Sequence, residues 1–357
     1  MSGPGPVSDE RPHVRRPRYK GTHPRAFHEK YKEHDPDRYA ADLERIVASG
    51  KTPAGTHRPI MVQEILQVLQ PRPGDLAVDA TLGYGGHASE LLNAVLPGGR
   101  LLALDVDPFE LPRTEARLRA RDVPAEALIV RRSNFAGLAG VLAAEALPGA
   151  NVLVADLGLS SMQIDDPTRG FTFKRPGPLD LRMNPQRGQP ASALLATIDE
   201  RKLARLLEEN ADQPAAEDLA RGLVAVRGRQ PIETTTDLAD AVRDALRTLS
   251  GAGTGDGDDP DPTVRRVFQA LRIAVNDEFT ALETFLRQLP ACLAPGGRVA
   301  ILTFHSGEDR RVKQAFRAGA AAGVYARVAE TVERAGPEER RANPRSTSAK
   351  LRWAVRA

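Results

Sequence analysis

Three aspartates stand where short apolar segments end, and a glycine-rich stretch follows the first of them. Asp105 comes 22 residues after Gly83. Glycines let a ligand approach the backbone at the start of a helix, and an acid at this spacing accepts hydrogen bonds from the two hydroxyls of a ribose. The pattern therefore predicts a site for a nucleoside-containing cofactor. Its residues are Asp79, Gly83, Gly85, Gly86, Asp105 and Asp156.

The identity of the cofactor depends on the groups around the glycines. Residues 83–88 also satisfy the loose glycine pattern of dinucleotide-binding proteins, so an NAD-dependent oxidoreductase is one alternative. However, Asp79 precedes the glycines, where it is suited to hold the ammonium group of an amino acid. Phe135 and Asp156 follow the next two apolar segments, where an adenine would be stacked and held. These features favour S-adenosylmethionine.

The elements that position these residues alternate between strands and helices. Short apolar strands beginning near Leu76, Leu101, Leu128 and Val152 are separated by segments with helical periodicity. Such alternation predicts an α/β fold with a mostly parallel sheet covered on both faces. The alternation breaks at about residue 163 and resumes with a strand over 298–304.

Four regions follow from this pattern. Residues 1–56 are rich in Pro, Arg and His and are expected to form a basic, mostly mobile extension. Residues 57–162 are the first part of the α/β domain, and 163–262 a helical insertion for substrate recognition. Residues 263–357 are the second part, with one long helix over 264–293 and a basic C-terminal tail.

Composition limits the class of protein. The chain has 357 residues, 41% of them hydrophobic, which is enough for a sizeable core. It contains no apolar run long enough for a membrane span and no signal-peptide pattern, so a cytoplasmic protein is expected. Its single cysteine, Cys292, has no partners at metal-ligand spacing, so we predict a buried thiol and no metal site.

Charge is unevenly distributed along the chain. The net charge is only +3, but residues 11–32 carry eight Lys and Arg against one acid, and residues 310–357 are also strongly basic. The body between these ends is acidic. Basic ends indicate a polyanionic partner, because binding to phosphates releases condensed counterions. Solvated tails without a partner are the alternative.

Seven stretches of the sequence resemble the family of ribosomal RNA small subunit methyltransferase H, the MraW family. They occur in the family's order and span about residues 57–357. The stretches are Asp79 to His87, Asp156 to Gln163, Arg169 to Phe173, Gly177 to Met183, Phe268 to Ile273, Phe304 to Arg310 and Ser348 to Arg352.

The resemblance implies an S-adenosylmethionine-dependent enzyme that methylates the exocyclic N4 of a cytidine in the decoding region of 16S rRNA, within the small ribosomal subunit. It also implies a class I methyltransferase fold, Rossmann-like, with an inserted helical domain. Carried over by motif, the cofactor contacts are Gly85, Gly86, His87, Asp105, Phe135, Asp156 and Gln163.

The sequence departs from the family pattern in places. Gly307 stands where the family usually has Leu, and residues 209–212 replace a usual Tyr-Gly-Glu-Glu. The first 56 residues have no counterpart in a typical member. These departures leave two alternatives open, namely a different RNA target and a non-catalytic RNA-binding or ribosome-assembly factor. The oligomeric state is not indicated by the sequence.

Methyl transfer to an amine requires that the nitrogen be oriented and that a proton be accepted. Asp156 is the first candidate to hydrogen-bond N4, together with Ser160. His305, which follows the strand over 298–304, is the second candidate, as proton acceptor. The alternative for His305 is a structural histidine that bonds to the backbone at a strand end.

A loop after the fourth strand contains groups suited to RNA. Its aromatic residues would stack on a flipped base and its basic residues would hold phosphates. The alternative is a loop that covers the cofactor crevice and packs its two Phe side chains. The residues of this prediction are Arg169, Phe171, Phe173, Lys174 and Arg182.

Overall fold

The computed structural model describes residues 59–250 and 261–357, so the predicted basic extension lies outside the described residues. The strands are β1 Leu76–Asp79, β2 Arg100–Asp105, β3 Leu128–Arg132, β4 Ala150–Asp156, β5 Leu293–Thr303, β6 Tyr325–Val328 and β7 Lys350–Arg356. The first helices are α1 Val62–Leu69, α2 Gly86–Val95, α3 Glu110–Arg119, α4 Leu138–Ala144 and α5 Ser161–Asp165. The later helices are α6 Ala191–Thr197, α7 Glu200–Ala211, α8 Ala216–Arg227, α9 Thr235–Ser250, α10 Asp261–Asn276, α11 Glu278–Cys292, α12 Ser306–Ala321 and α13 Pro337–Ala342.

All seven strands form one sheet in the order β3-β2-β1-β4-β5-β7-β6. Strands β1 to β5 are parallel, and β7 runs antiparallel to both of its neighbours. The order reverses between β1 and β4, and ligands of such sheets bind at the carboxyl ends of the strands beside this point. The predicted α/β fold is therefore confirmed, and Asp79 and Asp156 end the two strands at the reversal.

The sheet is central because its strands are apolar on both faces. In β1, Ala77 joins a core cluster with α1 and α2 on one face, whereas Val78 joins a cluster with α4 and α11 on the other. Parallel strands covered on both sides read as continuous apolar runs. The same burial explains why short strands were recognisable from sequence.

The helical insertion has its own core, formed by α6 to α10. The sequence predicts one helix over 264–293, and this is wrong: α10 ends at Asn276 and α11 begins at Glu278. Asp277 between them has a left-handed backbone, φ 52°. Val264 and Phe268 pack in the insertion, whereas Phe285 packs against the sheet. Packing thus attaches residues 261–276 to the insertion, beyond the boundary expected at 262.

The C-terminal region is not a free tail. Residues 350–356 form β7 between β5 and β6, and Arg352 makes an ion pair with Asp309, with Nε 2.6 Å from Oδ1. Leu351 packs in the core cluster on one face of the sheet and Ala354 in the cluster on the other, so the basic residues around them belong to a strand covered on both faces. The sequence interpretation failed here because the charged residues obscured the few apolar residues that the strand buries.

Two smaller expectations can be compared with the structure. Cys292 is buried at the end of α11, as predicted, and burial raises the pKa of its thiol to about 11. Within residues 59–250 and 261–357, none of the helices has both the length and the apolar character needed to cross a bilayer.

Candidate cofactor and methyl-transfer site

The glycine turn between β1 and α2 has a backbone conformation that is unfavourable for residues with a side chain. Gly83 and Gly85 have φ values of +46° and +76°, in the left-handed region that favours glycine. A Cβ at Gly85 would lie 2.8 Å from the Thr114 side chain. The turn therefore needs glycine, and it leads directly into the N-terminus of α2.

Asp105 fixes this turn from the neighbouring strand. Its carboxylate accepts hydrogen bonds from the backbone N–H groups of Gly83, at 2.7 Å, and Asp107, at 2.9 Å. Burial raises the pKa of Asp105 above its ordinary value. The carboxylate thus stands next to the glycine turn, where the sequence places a ribose.

Asp156 and His87 face each other at the point where the strand order reverses. His87 Nε2 lies 3.5 Å from Asp156 Oδ2, while the Asp156 N–H donates to Thr81 Oγ1 at 2.6 Å. Among the described residues, neither His87 Nε2 nor Asp156 Oδ1 has a hydrogen-bond partner, although both atoms are buried. Buried polar atoms without partners are uncommon and indicate a place for a ligand.

The electrostatics of this pair extend to Asp79, which is buried at the end of β1. Burial raises the pKa of Asp79 to about 6, against the opposing effects of His87 and the Thr81 N–H. Burial alone would lower the pKa of His87, but Asp156 and Asp79 outweigh it and raise that pKa. The charges of Asp79 and Asp156 therefore act on the same histidine.

Phe135 follows β3 and lies partly buried beside this edge of the sheet. Its ring meets the edge of Phe285 from α11, with the centroids 5.4 Å apart. This contact fixes the ring against the core. Its role beside an adenine stays a prediction.

Ser160 and Gln163 form the N-terminal cap of α5. Ser160 Oγ accepts from the Gln163 N–H at 3.2 Å, and Gln163 Oε1 accepts from the Ser160 N–H at 2.9 Å. Gln163 Nε2 also donates to Asp107 Oδ2 at 3.0 Å. The Ser160 hydroxyl thus has a structural partner, and its catalytic role stays a prediction.

Arg169 has a buried protein partner rather than a free guanidinium. Its side chain is 13% exposed and that of Asp107 is 1% exposed, with Arg169 Nη1 2.7 Å from Asp107 Oδ2. Burial alone would raise the pKa of Asp107, but Arg169 and Gln163 lower it below its ordinary value. Arg169 also donates to the Met183 carbonyl at 2.8 Å. The expectation that Arg169 holds phosphates therefore has to be corrected, because the ion pair and this carbonyl occupy its donors.

Three other residues of this loop that were predicted to bind RNA also contact protein groups. Arg182 forms a bidentate pair with Asp180, whose two oxygens each lie 2.7 Å from a guanidinium nitrogen. Phe171 is buried in the insertion core, and Phe173 packs on Phe268 with centroids 5.4 Å apart.

These contacts require a correction for three more residues. As described, Arg182, Phe171 and Phe173 hold the loop against the insertion, because their charges and rings already contact protein groups. Of the five predicted residues, Lys174 is exposed. It is the member of the set whose side chain is most accessible to solvent or to a phosphate.

His305 follows β5 and joins a buried ionic cluster. Its Nε2 lies 3.2 Å from Glu308 Oε1, and its ring packs on Phe279 with centroids 5.8 Å apart. Burial alone would raise the pKa of Glu308, but His305 and Arg272 lower it. Asp156 is not among the described contacts of His305, so the two catalytic candidates belong to separate clusters.

Sequence reasoning missed most of this cluster. A ring nitrogen of His305 and carboxylate oxygens of Glu278 and Glu308 lie within 4.8 Å of one another. Arg272 binds Glu278 through two hydrogen bonds of 2.7 and 2.8 Å and supplies the balancing positive charge. The missing signal was the break at Asp277, because only this break brings the end of α10 beside the start of α11.

Asp107 was also missed. It is buried, and its Oδ1 accepts from the N–H groups of Phe109 and Glu110, at 2.9 and 3.1 Å, at the start of α3. An aspartate before Pro and an acidic first turn is a helix-start signal that could have identified it.

The unusual residues near His305 fit one another. A Cβ at Gly307 would lie 2.6 Å from Phe279 Cζ, so the ring of Phe279 fills the space of a side chain there. Asp212, in the segment that replaces the usual family motif, accepts from the Ser306 hydroxyl at 2.8 Å and pairs with Arg310 at 3.2 Å. These departures connect the insertion to the start of α12.

Known proteins with similar sequences align with most of this chain. A protein of Lachnoclostridium phytofermentans named ribosomal RNA small subunit methyltransferase H 1 is 47% identical over 99% of this chain and 96% of its own length. A protein of Alkaliphilus metalliredigens named ribosomal RNA small subunit methyltransferase H 2 is 48% identical over 96% of this chain and 97% of its own length. Ribosomal RNA small subunit methyltransferase H of Anaeromyxobacter sp. strain K is 42% identical over 83% of this chain. The first of these alignments includes the basic extension, so the expectation that the extension lacks a counterpart does not hold for that relative.

Solved structures show more distant similarity. A putative rRNA-methylase from Clostridium thermocellum aligns with 85% of this chain and all of its own, at 11% identity and a TM-score of 0.38. TrmN from Thermus thermophilus aligns with 83% of this chain and 48% of its own, at 14% identity and a TM-score of 0.39. The sequence itself matches the MraW methylase family over residues 54–357. The chain therefore belongs to the MraW methylase family, a family of S-adenosylmethionine-dependent methyltransferases.

Proposed function

We propose that the protein transfers a methyl group from S-adenosylmethionine to the exocyclic N4 of a cytidine in the decoding region of 16S rRNA, within the small ribosomal subunit in the cytoplasm. The names of the relatives support a small-subunit rRNA substrate. The observation that carries the proposal is the buried, unpartnered Asp156 Oδ1 beside the glycine turn. An acceptor in this place suits an amine N–H that must be held close to a cofactor.

The residues at the strand ends fit this cofactor. The turn at Gly83 and Gly85 would admit the ligand, Asp105 would accept from the ribose hydroxyls, and Asp79 would accept from the amino-acid ammonium group. Phe135 would lie against the adenine. When bound, S-adenosylmethionine supplies a methyl group on a positively charged sulfur, so no metal is needed to activate it.

Asp156 orients the nucleophile. Its Oδ1 accepts a hydrogen bond from one N4–H of the cytosine, which turns the nitrogen lone pair toward the methyl group. The proton released from N4 passes to the Asp156 carboxylate, whose side chain is 29% exposed. General-base assistance of this kind typically contributes 10²- to 10⁴-fold to a rate.

His87 positions Asp156. Its Nε2 faces Oδ2, so Oδ1 remains available to the substrate. His305 has a different role in this proposal: its ring and Glu308 fix the start of α12 beside the insertion, which holds the RNA-binding half in place. The proton acceptor is thus Asp156.

Mass spectrometry of 16S rRNA nucleosides tests the function. A strain that lacks the gene should lose N4-methylcytidine from the decoding region, and the wild-type gene should restore it. Restoration by the Asp156→Ala variant, or unchanged N4-methylcytidine in the deletion strain, would refute the proposal. In the second outcome, calorimetry with S-adenosylmethionine separates an enzyme with another RNA target from a protein that has lost the cofactor site.

A further inference from the structure

Three arginines from distant parts of the sequence meet on one face of the sheet. Arg298 of β5 and Arg327 of β6 are both register partners of Val355 in β7. Cross-strand partners project to the same face of a sheet. Arg298 Nη1 donates to the Val68 carbonyl at 3.0 Å, and Arg72 follows the same helix, α1. We call Arg72, Arg298 and Arg327, together with Trp353 of β7, the arginine patch.

The patch combines positive charge with an aromatic surface. The Arg327 guanidinium lies 5.5 Å from the centroid of the Trp353 ring. Trp353 and Arg298 are partly exposed, whereas Arg72 and Arg327 are exposed. Solvent therefore reaches a flat basic and aromatic surface at the edge where β6 and β7 meet.

The three charges are not neutralised by neighbouring acids. Within residues 59–250 and 261–357, no ion pair joins Arg72, Arg298 or Arg327 to a carboxylate. Two acids do lie near: Glu333 accepts from Trp353 Nε1 at 2.9 Å, and Asp75 accepts from the backbone N–H of Arg72 at 2.8 Å. Each carboxylate accepts from a neutral N–H group and forms no ion pair with the three guanidinium groups.

Mutual repulsion is visible in the electrostatics. Burial lowers the pKa of Arg298, and the charges of Arg327 and Arg72 lower it further. Like charges are thus held together without a counterion from the described part of the chain. An anion bound between them would relieve this repulsion.

We propose that the arginine patch binds the phosphate backbone of rRNA at a distance from the target nucleotide. This inference rests on the proposed RNA substrate. Arg298 is the register partner of Val152, and Asp156 that of Leu302, so the patch lies four residues from the methyl-transfer site along the strand, about 13 Å at roughly 3.3 Å per residue. One RNA molecule can span both places.

RNA fits the chemistry of the patch better than an acidic protein does. Guanidinium groups match the geometry of phosphates and stack on aromatic faces. The partly exposed indole of Trp353 also offers a platform for an unpaired base. An acidic protein partner would pair with the charges, but its carboxylates would not stack on the partly exposed ring of Trp353.

Trp353 provides a direct readout because it is the only tryptophan of the chain. The full-length protein is titrated with a single-stranded RNA of about 20 nucleotides and arbitrary sequence, labelled for anisotropy, so that phosphates and unpaired bases are both available to the patch. We expect Trp353 emission to change and to saturate at the same RNA concentration as the anisotropy. RNA binding without any change in Trp353 emission would overturn the proposal.

Charge variants provide the second arm of the experiment. R72Q/R327Q should weaken RNA binding and reduce the slope of log K against log salt by about 1.4 to 1.8, since each lost phosphate contact contributes roughly 0.7 to 0.9. The control is R287Q/R317Q, which removes two exposed arginines from α11 and α12 on the other face. Equal effects of both variants, or tighter binding of polyglutamate than of RNA, would contradict the proposal.

The two proposals can fail separately. S-adenosylmethionine affinity, measured by calorimetry, should be the same in R72Q/R327Q and the wild type. With small subunits as substrate, KM should rise several-fold while kcat is retained. If the deletion strain keeps its N4-methylcytidine but Trp353 still responds to RNA, the proposed methylation fails and the arginine patch stands.

Discussion

The sequence predicts functional residues both in the strand-end site (Asp79 to His87, Asp105 and Asp156) and in the loop over 169–183. The two regions differ in whether their polar side chains have partners within the protein. At the strand-end site, buried atoms of His87 and Asp156 lack hydrogen-bond partners among the described residues. In the loop, Arg169 and Arg182 are paired with buried or half-buried carboxylates. The residue types predict a functional role for both regions. Only the presence or absence of partners within the protein distinguishes them.

The difference also appears in the pKa shifts. Burial raises the pKa of Asp79 and Asp105, which means that the folded protein holds these carboxylates at a cost. In contrast, Arg169 keeps the pKa of Asp107 below its ordinary value despite burial. The buried carboxylates of the strand-end site thus lower the stability of the fold and remain available to a ligand. The ion pair of the loop, by contrast, contributes to stability.

Asp156→Asn should have the largest effect. The amide keeps the shape of the side chain but removes the charge that accepts the N4 proton, so we expect kcat for small subunits to fall by about 100-fold or more. Calorimetry should show S-adenosylmethionine affinity within a few-fold of wild type. Asp240→Asn, at an exposed carboxylate on α9, is the control. Near-normal kcat would show that Asp156 is not the proton acceptor.

Arg169→Met tests the loop. Removing one partner of a buried ion pair costs about 3 kcal/mol or more, so the free energy of unfolding in urea should fall by about that amount, while RNA affinity of the folded protein should not change. Arg247→Met, which removes an exposed arginine paired with Asp244 on α9, should cost little. A stable Arg169→Met variant with weak RNA binding would restore the original interpretation of Arg169.

Asp79→Asn should separate binding from stability. A pKa raised from 3.8 to about 6 corresponds to at most about 3 kcal/mol. Between these values the unfolded chain loses the proton first, so the stability of the wild type falls as pH rises. The variant should therefore be more stable at pH 8 and equal to wild type below about pH 4.

The affinity for S-adenosylmethionine should depend on pH in the opposite sense to the stability. Wild-type affinity for S-adenosylmethionine should decrease as pH falls below about 6, because Asp79 is then protonated, and Asp79→Asn should bind weakly at every pH. A variant that is destabilised at pH 8 would show that Asp79 does not carry a burial cost.

Lys174→Gln should have the smallest effect. An exposed lysine makes at most one phosphate contact, so RNA affinity should fall only about two- to three-fold and the salt slope by less than about 1. Lys202→Gln, at an exposed residue of α7, is the control. If both variants bind RNA as the wild type does, the loop has no direct contact with the substrate.

The sequence was most informative where one short stretch determines both position and chemistry. Asp79, Asp105 and Asp156 each end a buried strand, and parallel strands bring their carboxyl ends to one edge, so type and place were predictable together. Partners distant in sequence were not predictable. Nothing near Arg169 indicates that Asp107 neutralises it, and nothing near Arg352 indicates that Asp309 does.

The same reasoning explains the error at Asp277. Apolar periodicity continues through this residue, because the buried faces of α10 and α11 both read as helix. A left-handed aspartate between them redirects the chain, and its conformation depends on the two cores that it separates.

The position of the insertion has a consequence for how the chain folds. Strands β4 and β5 are neighbours in the sheet, yet the insertion separates them by more than a hundred residues. The entropic cost of closing a flexible segment rises with its length, and contacts between distant residues slow folding. Because the insertion has a core of its own, its early collapse would shorten the segment to be closed and bring the two strands within reach. Loosening the insertion core should then slow formation of the cofactor-binding sheet, even though the substituted residues do not touch that sheet.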